Sequence, residues 1–215
     1  MTIDCVDYIL NKQKWNKQDI IKLIKYIEDL GADLELDAVS VGTDCIYIDT
    51  DNLNNVCESI SKYNTGLISN FTVENSSFDL LISKNSFELT FFYTLSRRPK
   101  TFINKLINII KNLYLKTKPL IVQYYDGEEL EDKYIPTYEQ LIKEGKPKII
   151  TGLTILSPEI VKNIGRERIL SAPVYKVEEL DDRSILILLD ENPFNHGFLT
   201  EKVKEVSKYL LGTEF

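Results

Sequence analysis

Apolar residues recur at helical spacing in several segments of this chain. In residues 17–30 a stripe of Ile20, Leu23, Ile24 and Ile27 lies on one face, and Gly31 follows as a stop signal. The strongest pattern covers residues 100–116 and follows an Arg-Arg-Pro step. Shorter helices are predicted at residues 52–62, 137–144, 157–163 and 199–211.

Between residues 67 and 95 the apolar period changes from helical to alternating. Three alternating runs are separated by polar breaks, and this pattern is typical of three strands in an antiparallel meander. Further strands are predicted at residues 44–49, 120–125, 148–156, 174–177 and 184–189. Interleaved helices and strands with a meander predict an α+β fold. We expect one domain over residues 1–215, with possible pseudo-halves at 1–117 and 118–215.

Composition indicates an ordinary globular protein with an acidic character. Hydrophobic residues make up 43% of the chain, charged residues 27%, and the formal net charge is −7. This charge disfavours general binding to nucleic acid or to an anionic membrane. The first residues carry Asp4 and Asp7 and no long apolar run, so we expect no secretory signal and no membrane span. Three cysteines without paired spacing favour a reducing cytoplasm.

The sequence offers little material for a conventional catalytic centre. His196 is the single histidine, and the calcium-like start Asp49-Thr50-Asp51 lacks the glycine and the glutamate of a calcium loop. There is no glycine-rich phosphate loop and no nucleophile elbow. We therefore expect a protein without catalytic residues, metal or cofactor. Paired carboxylates remain an open alternative, because they leave no readable motif.

Charge is distributed unevenly along the chain. Residues 97–118 hold seven basic residues and no acid, whereas residues 126–132 hold five acids in seven positions. A second acidic run covers residues 178–182. Both runs are predicted loops, so they are either solubilising turns or a negative surface for a basic protein partner. The candidate partner-binding residues are the acids of both runs and the tyrosines flanking the first: Tyr124, Tyr125, Asp126, Glu128, Glu129, Glu131, Asp132, Tyr134, Glu178, Glu179, Asp181 and Asp182. The alternative for Tyr124 or Tyr125 is that the ring lies in the sheet core.

The last 68 residues, 148–215, carry a family resemblance. A strand with the pair Gly152-Leu153 leads to a Leu156-Ser157 helix start, and the step Asn192-Pro193 precedes a final amphipathic helix. This order resembles the C-terminal part of immunity protein 52 and related type VI immunity families of bacterial polymorphic toxin systems. In the family an aromatic residue follows the glycine, where this chain has Leu153.

The resemblance implies an α+β protein that neutralises a cognate toxin, typically a nuclease, by binding it. An acidic protein suits this role, because a nuclease binds phosphate through a basic cleft. Two other hypotheses stay open: a structural or assembly module of a phage or secretion system, and an enzyme or small-ligand binder with a carboxylate-lined site. A pocket with converging carboxylates is what the last alternative requires.

Overall fold

The protein is described by a computed structural model that covers residues 3–11, 14–34, 39–42, 46–47, 52–73, 76–92, 94–126, 134–195 and 200–215. The helices are α1 (Lys17–Asp29), α2 (Leu53–Tyr63), α3 (Lys100–Thr117), α4 (Tyr138–Glu144), α5 (Pro158–Ile164), α6 (Arg166–Leu170) and α7 (Glu201–Leu211). The strands are β1 (Asp4–Ile9), β2 (Asp33–Leu34), β3 (Val39–Val41), β4 (Ile46–Tyr47), β5 (Gly66–Val73), β6 (Ser76–Ser83), β7 (Ser86–Phe91), β8 (Ile121–Asp126), β9 (Leu153–Leu156), β10 (Lys176–Glu179) and β11 (Ile185–Leu188).

The strands form one antiparallel sheet that runs through the whole molecule. Its order is β10-β11-β9-β8-β1-β7-β6-β5-β3-β4, and β2 pairs with β5. Strand β1 lies in the middle and pairs with β7 on one side and β8 on the other. The N-terminal strand therefore joins residues before and after position 117 into one sheet, and the fold class is α+β as predicted.

The first side of the sheet is covered by three helices. Helices α1, α2 and α3 pack there on residues that alternate along the strands, such as Val6 and Tyr8 of β1 and Leu80 of β6. Trp15 is also buried in this core and donates from Nε1 to the carbonyl of Ser83 at 2.8 Å. This core is the larger one, because both parts of the sheet contribute to it.

The second side of the sheet carries a smaller core. Helices α4, α5, α6 and α7 pack on the other set of alternating residues, including Ile121 of β8, Leu156 of β9 and Ile185 of β11. Strands β8, β9 and β11 are therefore buried on both faces. This explains why β9 and β11 are continuous apolar runs without alternation.

The helix predictions are confirmed, and their caps follow the sequence signals. Asn16 caps α1, and Thr137 and Gln140 form the capping box that their spacing predicts at α4. The meander prediction is confirmed by β5, β6 and β7, which pair antiparallel in sequence order. Helix α3 belongs to the same core as the apolar side of this meander.

Several strand predictions differ from the structure. Strand β1 was not predicted, since its alternation is short, with Asp7 alone between the apolar residues Val6 and Tyr8. The strand predicted at residues 148–156 begins only at Leu153, because Thr151 pairs with no residue of a neighbouring strand. Its Oγ1 instead donates to the carbonyl of Leu153 at 2.8 Å. The strand predicted at 174–177 lies two residues later, at Lys176–Glu179. His196, Cys45 and the calcium-like segment 49–51 lie outside the described residues.

Candidate functional site

Half of the second side of the sheet is not packed under a helix in the described part of the chain. Several residues of β1, β5, β6 and β7 that point to this side are half-buried, and Leu67 and Leu81 belong to neither core. We call this surface the open face and define it by six residues: Cys5, Asp7, Leu67, Leu81, Glu88 and Thr90. It continues the plane of the strands that α4, α5 and α7 cover.

A single row of directly opposed residues crosses the open face. Leu67 of β5 lies opposite Leu81 of β6, and Leu81 lies opposite Glu88 of β7. Glu88 lies opposite Asp7 of β1, which in turn lies opposite Gln123 of β8. Opposed residues of antiparallel strands share a side of the sheet, so two leucines and two carboxylates form one continuous stripe.

The carboxyl group of Asp7 lies close enough to Glu88 for the Glu88 charge to influence its ionisation. Burial and, to a smaller extent, the neighbouring charge of Glu88 together raise the pKa of Asp7 to about 8, while a hydrogen bond from the backbone of Tyr8 acts in the opposite direction. Asp7 therefore keeps its proton at neutral pH. A carboxyl group whose pKa is displaced this far by burial and a like charge marks a candidate functional site.

Fixed neighbours surround the acid pair. Thr90 donates from Oγ1 to Oε1 of Glu88 at 2.7 Å. On the β8 side, the Gln123 side chain donates to the carbonyl of Ile149 at 2.8 Å and accepts from the Tyr125 hydroxyl at 2.9 Å. Burial raises the pKa of the Cys5 thiol, and the Glu88 charge adds to this, so the thiol is not a nucleophile here. The surroundings of the pair are thus rigid on both sides.

Asp79 of β6 lies on the same side of the sheet as Asp7 and Glu88, and it has a structural role. Its carboxylate accepts from the Ser69 hydroxyl at 3.0 Å and from the Asn70 amide at 3.2 Å. Asn70 has a φ of 68° where the register of β5 and β6 shifts. Asp79 therefore holds a β-bulge, which leaves Asp7 and Glu88 as the acids that face outward.

The structure corrects the interpretation of Tyr124 and Tyr125 as partner anchors. Both rings are buried, because β8 has a core on each side. The Tyr124 hydroxyl donates to the buried carboxylate of Asp4 at 2.7 Å, and its ring packs edge-on against Phe194 with centroids 4.9 Å apart. The alternative that a tyrosine of this pair lies in the sheet core is the one observed, and it holds for both.

The first acidic run is only partly described. Asp126 ends β8, and Tyr134 is half-buried with its ring centroid 5.5 Å from that of Phe215. Glu128, Glu129, Glu131 and Asp132 lie outside the described residues, so their role in partner binding stays a prediction.

The second acidic run is largely neutralised within the molecule. Glu178 forms ion pairs with Lys111 of α3 and with Lys176, the latter at 2.6 Å, and Asp182 pairs with Lys118 at 2.7 Å. Glu179 pairs with Arg166 at 2.5 Å, which lowers the pKa of its carboxyl group. The predicted basic segment therefore neutralises much of this acidic run, whereas Asp181 is exposed. A role of these acids in partner binding stays a prediction.

A cavity on the first side bears on the small-ligand alternative. It has a volume of about 220 Å³ and lies between α1 and the end of α3, against Trp15, Tyr26 and Lys116. Asp19 is the one carboxylate in its lining, and its Oδ2 accepts from the Asn16 side chain at 2.9 Å. The converging carboxylates that a catalytic pocket requires are not in this cavity.

The described residues lack two further features. They contain no cluster of three or more histidine, cysteine, aspartate or glutamate side chains arranged to hold a metal ion. None of their helices combines the length and the apolar character needed to cross a membrane.

Comparison with known proteins identifies a fold neighbour. No family model matches the chain, and no curated protein matches it in sequence. Among solved structures, the chain is similar to the Pseudomonas aeruginosa T6SS protein PA0821, with a TM-score of 0.56 and 11% identity. The likeness covers 98% of this chain and 72% of that one. At this identity it shows a shared fold, and the shared fold extends over both parts of the sheet.

The acid pair could be found from the sequence only in part. Asp7 and Glu88 each stand between buried apolar residues in an alternating strand, so both could be assigned to the less apolar side of a sheet. The sequence does not show that Asp7 and Glu88 lie opposite each other, because this depends on β1 pairing with β7 in the sheet. That register joins residues 81 positions apart in the chain.

Proposed function

We propose that this protein is an immunity protein that neutralises a cognate toxin by direct, stoichiometric binding. The observation that carries the proposal is the open face. It is a rigid sheet surface with two outward carboxyl groups and two half-buried leucines, and it lies beside the part of the sheet that helices cover. Apolar groups supply contact area and charges select the partner in protein interfaces. The proposal assigns no catalytic residue and no cofactor.

The charge of the chain supports a basic partner. The net charge is −7. Ion pairs with Lys111, Lys118 and Arg166 neutralise much of the acidic run at 178–182. The carboxylates of the open face have no such basic neighbour among their opposed residues, which are Leu81, Gln123 and each other. A nuclease with a basic phosphate-binding cleft is the toxin class that this surface fits.

The biological context comes from two similarities. The fold neighbour is described as a T6SS protein, and residues 148–215 resemble type VI immunity families in the order of their motifs. We extend the type VI secretion context to this chain as part of the proposal. The acids at 126–132 and 178–182 are retained as candidate contacts at the margin of the interface.

Co-expression with the product of the adjacent gene tests the function. Cells that express the toxin without this protein should die, and cells that also express the wild-type protein should survive. The two purified chains should form a complex of fixed stoichiometry in size-exclusion chromatography with light scattering. If the adjacent product is not toxic, or is toxic but forms no complex, the immunity function is wrong. A stable complex with a non-toxic product would favour the assembly-module alternative instead.

A matched pair of charge reversals locates the interface in the same assay. Glu88→Lys changes the open face, where the new amine can pair with Asp7, so folding should persist. Glu205→Lys makes the same change on the exposed side of α7. Protection should be lost with the first variant and retained with the second.

A further inference from the structure

We propose that the open face is the docking surface for a basic segment of a protein partner, which seats one arginine side chain between Asp7 and Glu88. The inference deepens the proposed function, because it names the chemistry of the group that the interface recognises. It rests on that function for the identity of the partner as a toxin. The arrangement of side chains can be tested without the toxin.

The spacing of the pair suits a guanidinium group. Asp7 and Glu88 are directly opposed on antiparallel strands, and the Cβ atoms of such residues are about 4.5–5.5 Å apart. Two carboxyl groups rising from this spacing can each accept hydrogen bonds from one edge of a planar guanidinium. Arginine fits better than lysine, because its five donors lie in a fixed fork.

The neighbouring strands provide a surface for the rest of the arginine side chain. Leu81 lies next to Glu88 in the row, and Leu67 lies beyond it. Both leucines are half-buried and outside the two cores. An arginine that crosses Leu81 with its methylene groups would bury apolar area while its charged end reaches the acids.

The ionisation of the pair gives a second signature of this contact. The titratable groups that face Asp7 in the described residues are Glu88 of β7, Cys5 of its own strand and Tyr125 of β8, and each of them favours the protonated form of Asp7 or is neutral near pH 7. A bound guanidinium favours the ionised form instead. Binding should therefore release a proton and tighten from about pH 6 to about pH 9.

The experiment is a titration of the isotopically labelled full-length protein with a blocked pentapeptide, Gly-Leu-Arg-Leu-Gly, followed by amide NMR shifts. The control peptide has citrulline in place of arginine, which keeps the shape and removes the charge. We expect saturable shifts at residues of β1, β6 and β7 with the arginine peptide. The citrulline peptide should bind about ten-fold more weakly or more, as for loss of a charge-assisted hydrogen bond.

Two neutral variants complete the test. Asp7→Asn and Glu88→Gln keep the fold and size of the pair, and each should weaken the arginine peptide about ten-fold, whereas Glu205→Gln on α7 should leave its affinity unchanged. Equal binding of both peptides, shifts centred on residues 178–182, or no saturable shifts would overturn the inference. Peptide binding without protection against the adjacent toxin would instead refute the proposed function and leave the arginine site standing.

Discussion

Asp7 of β1 and Glu88 of β7 lie directly opposite each other near the middle of an antiparallel sheet. Opposed like charges destabilise a sheet, and partial burial adds a desolvation cost for the ionised carboxyl group. The pair is therefore a poor arrangement for stability, and a suitable one for receiving a positive charge. Groups that serve binding are often of this kind.

Replacing Asp7 with asparagine should stabilise the free protein, and more so at high pH. The folded-state pKa of Asp7 is raised to about 8, so between about pH 4 and 8 the unfolded chain loses a proton that the folded chain keeps. Stability of the wild type falls over this range, while the variant has no such carboxyl group. We expect a gain in the free energy of unfolding of about 1–3 kcal/mol at pH 8.5 and little gain at pH 4.

Urea melts of both proteins at a series of pH values measure this difference. Asp181→Asn, at an exposed position, is the control and should change stability by less than about 0.5 kcal/mol at each pH. If Asp7→Asn instead destabilises the protein equally at all pH values, the Asp7 side chain makes favourable contacts that outweigh its repulsion from Glu88.

Removing the Tyr124 hydroxyl should destabilise the centre of the fold. That hydroxyl donates to the buried Asp4 carboxylate, which also accepts from the Leu95 amide at 2.5 Å. Tyr124→Phe leaves a buried charge with one bond fewer, at a cost of about 1–3 kcal/mol. Tyr209→Phe removes an exposed hydroxyl that bonds Ser171 and should cost much less in the same denaturant melts. Equal losses for the two variants would mean that the Asp4 contact contributes little.

The core face of α3 can be tested with a pair of isoleucines. Ile110 has no exposed surface, and Ile142 on α4 is 52% exposed. Ile110→Ala should lower the free energy of unfolding by about 2–5 kcal/mol, because it leaves a cavity in the larger core. Ile142→Ala should have an effect below about 0.5 kcal/mol. A small loss at Ile110 would contradict the packing of α3 against the sheet.

The ion pair between Lys111 and Glu178 should couple α3 to the edge strand β10. Both side chains are partly buried, with 21% and 27% of their surface exposed. A double-mutant cycle with alanine at each position should give a coupling of about 0.5–1.5 kcal/mol that is only weakly reduced by salt. The exposed pair of Lys202 and Glu205 on α7 is the comparison and should give a smaller, salt-sensitive value. A coupling near zero for Lys111 and Glu178 would leave the acidic run free for other contacts.

The helices and the meander could be predicted because their signals are local. Apolar spacing, the Asn16 cap and the Thr137 capping box each act within a few residues. The burial of Tyr124 and Tyr125 could not be predicted in the same way. Alternation along a strand assumes that one side is exposed, and β8 is covered on both sides only because α4, α5 and α7 return to it later in the chain.

The sequence shows where charged residues of one sign cluster along the chain, and it does not show which charged residues pair in the fold. The fold brings residues 97–118 and 178–182 together through the pairs Lys111–Glu178 and Lys118–Asp182, whose members are 67 and 64 positions apart in the chain. The acids of the open face are isolated in sequence and paired in space. Long-range strand order decides both outcomes, and no local pattern encodes it.

We propose that a toxin binds to the open face, and the affinity of the purified toxin domain encoded by the adjacent gene tests this directly. Calorimetry should give a 1:1 complex with the wild-type protein. The double variant Leu81→Arg, Glu88→Lys should bind about 100-fold more weakly, because it replaces an apolar contact and reverses a charge at the centre of the interface. The matched variant Glu201→Lys, Glu205→Lys on α7 should bind as the wild type does. Undiminished binding by the open-face variant, with its fold confirmed by circular dichroism, would show that the toxin does not bind to the open face.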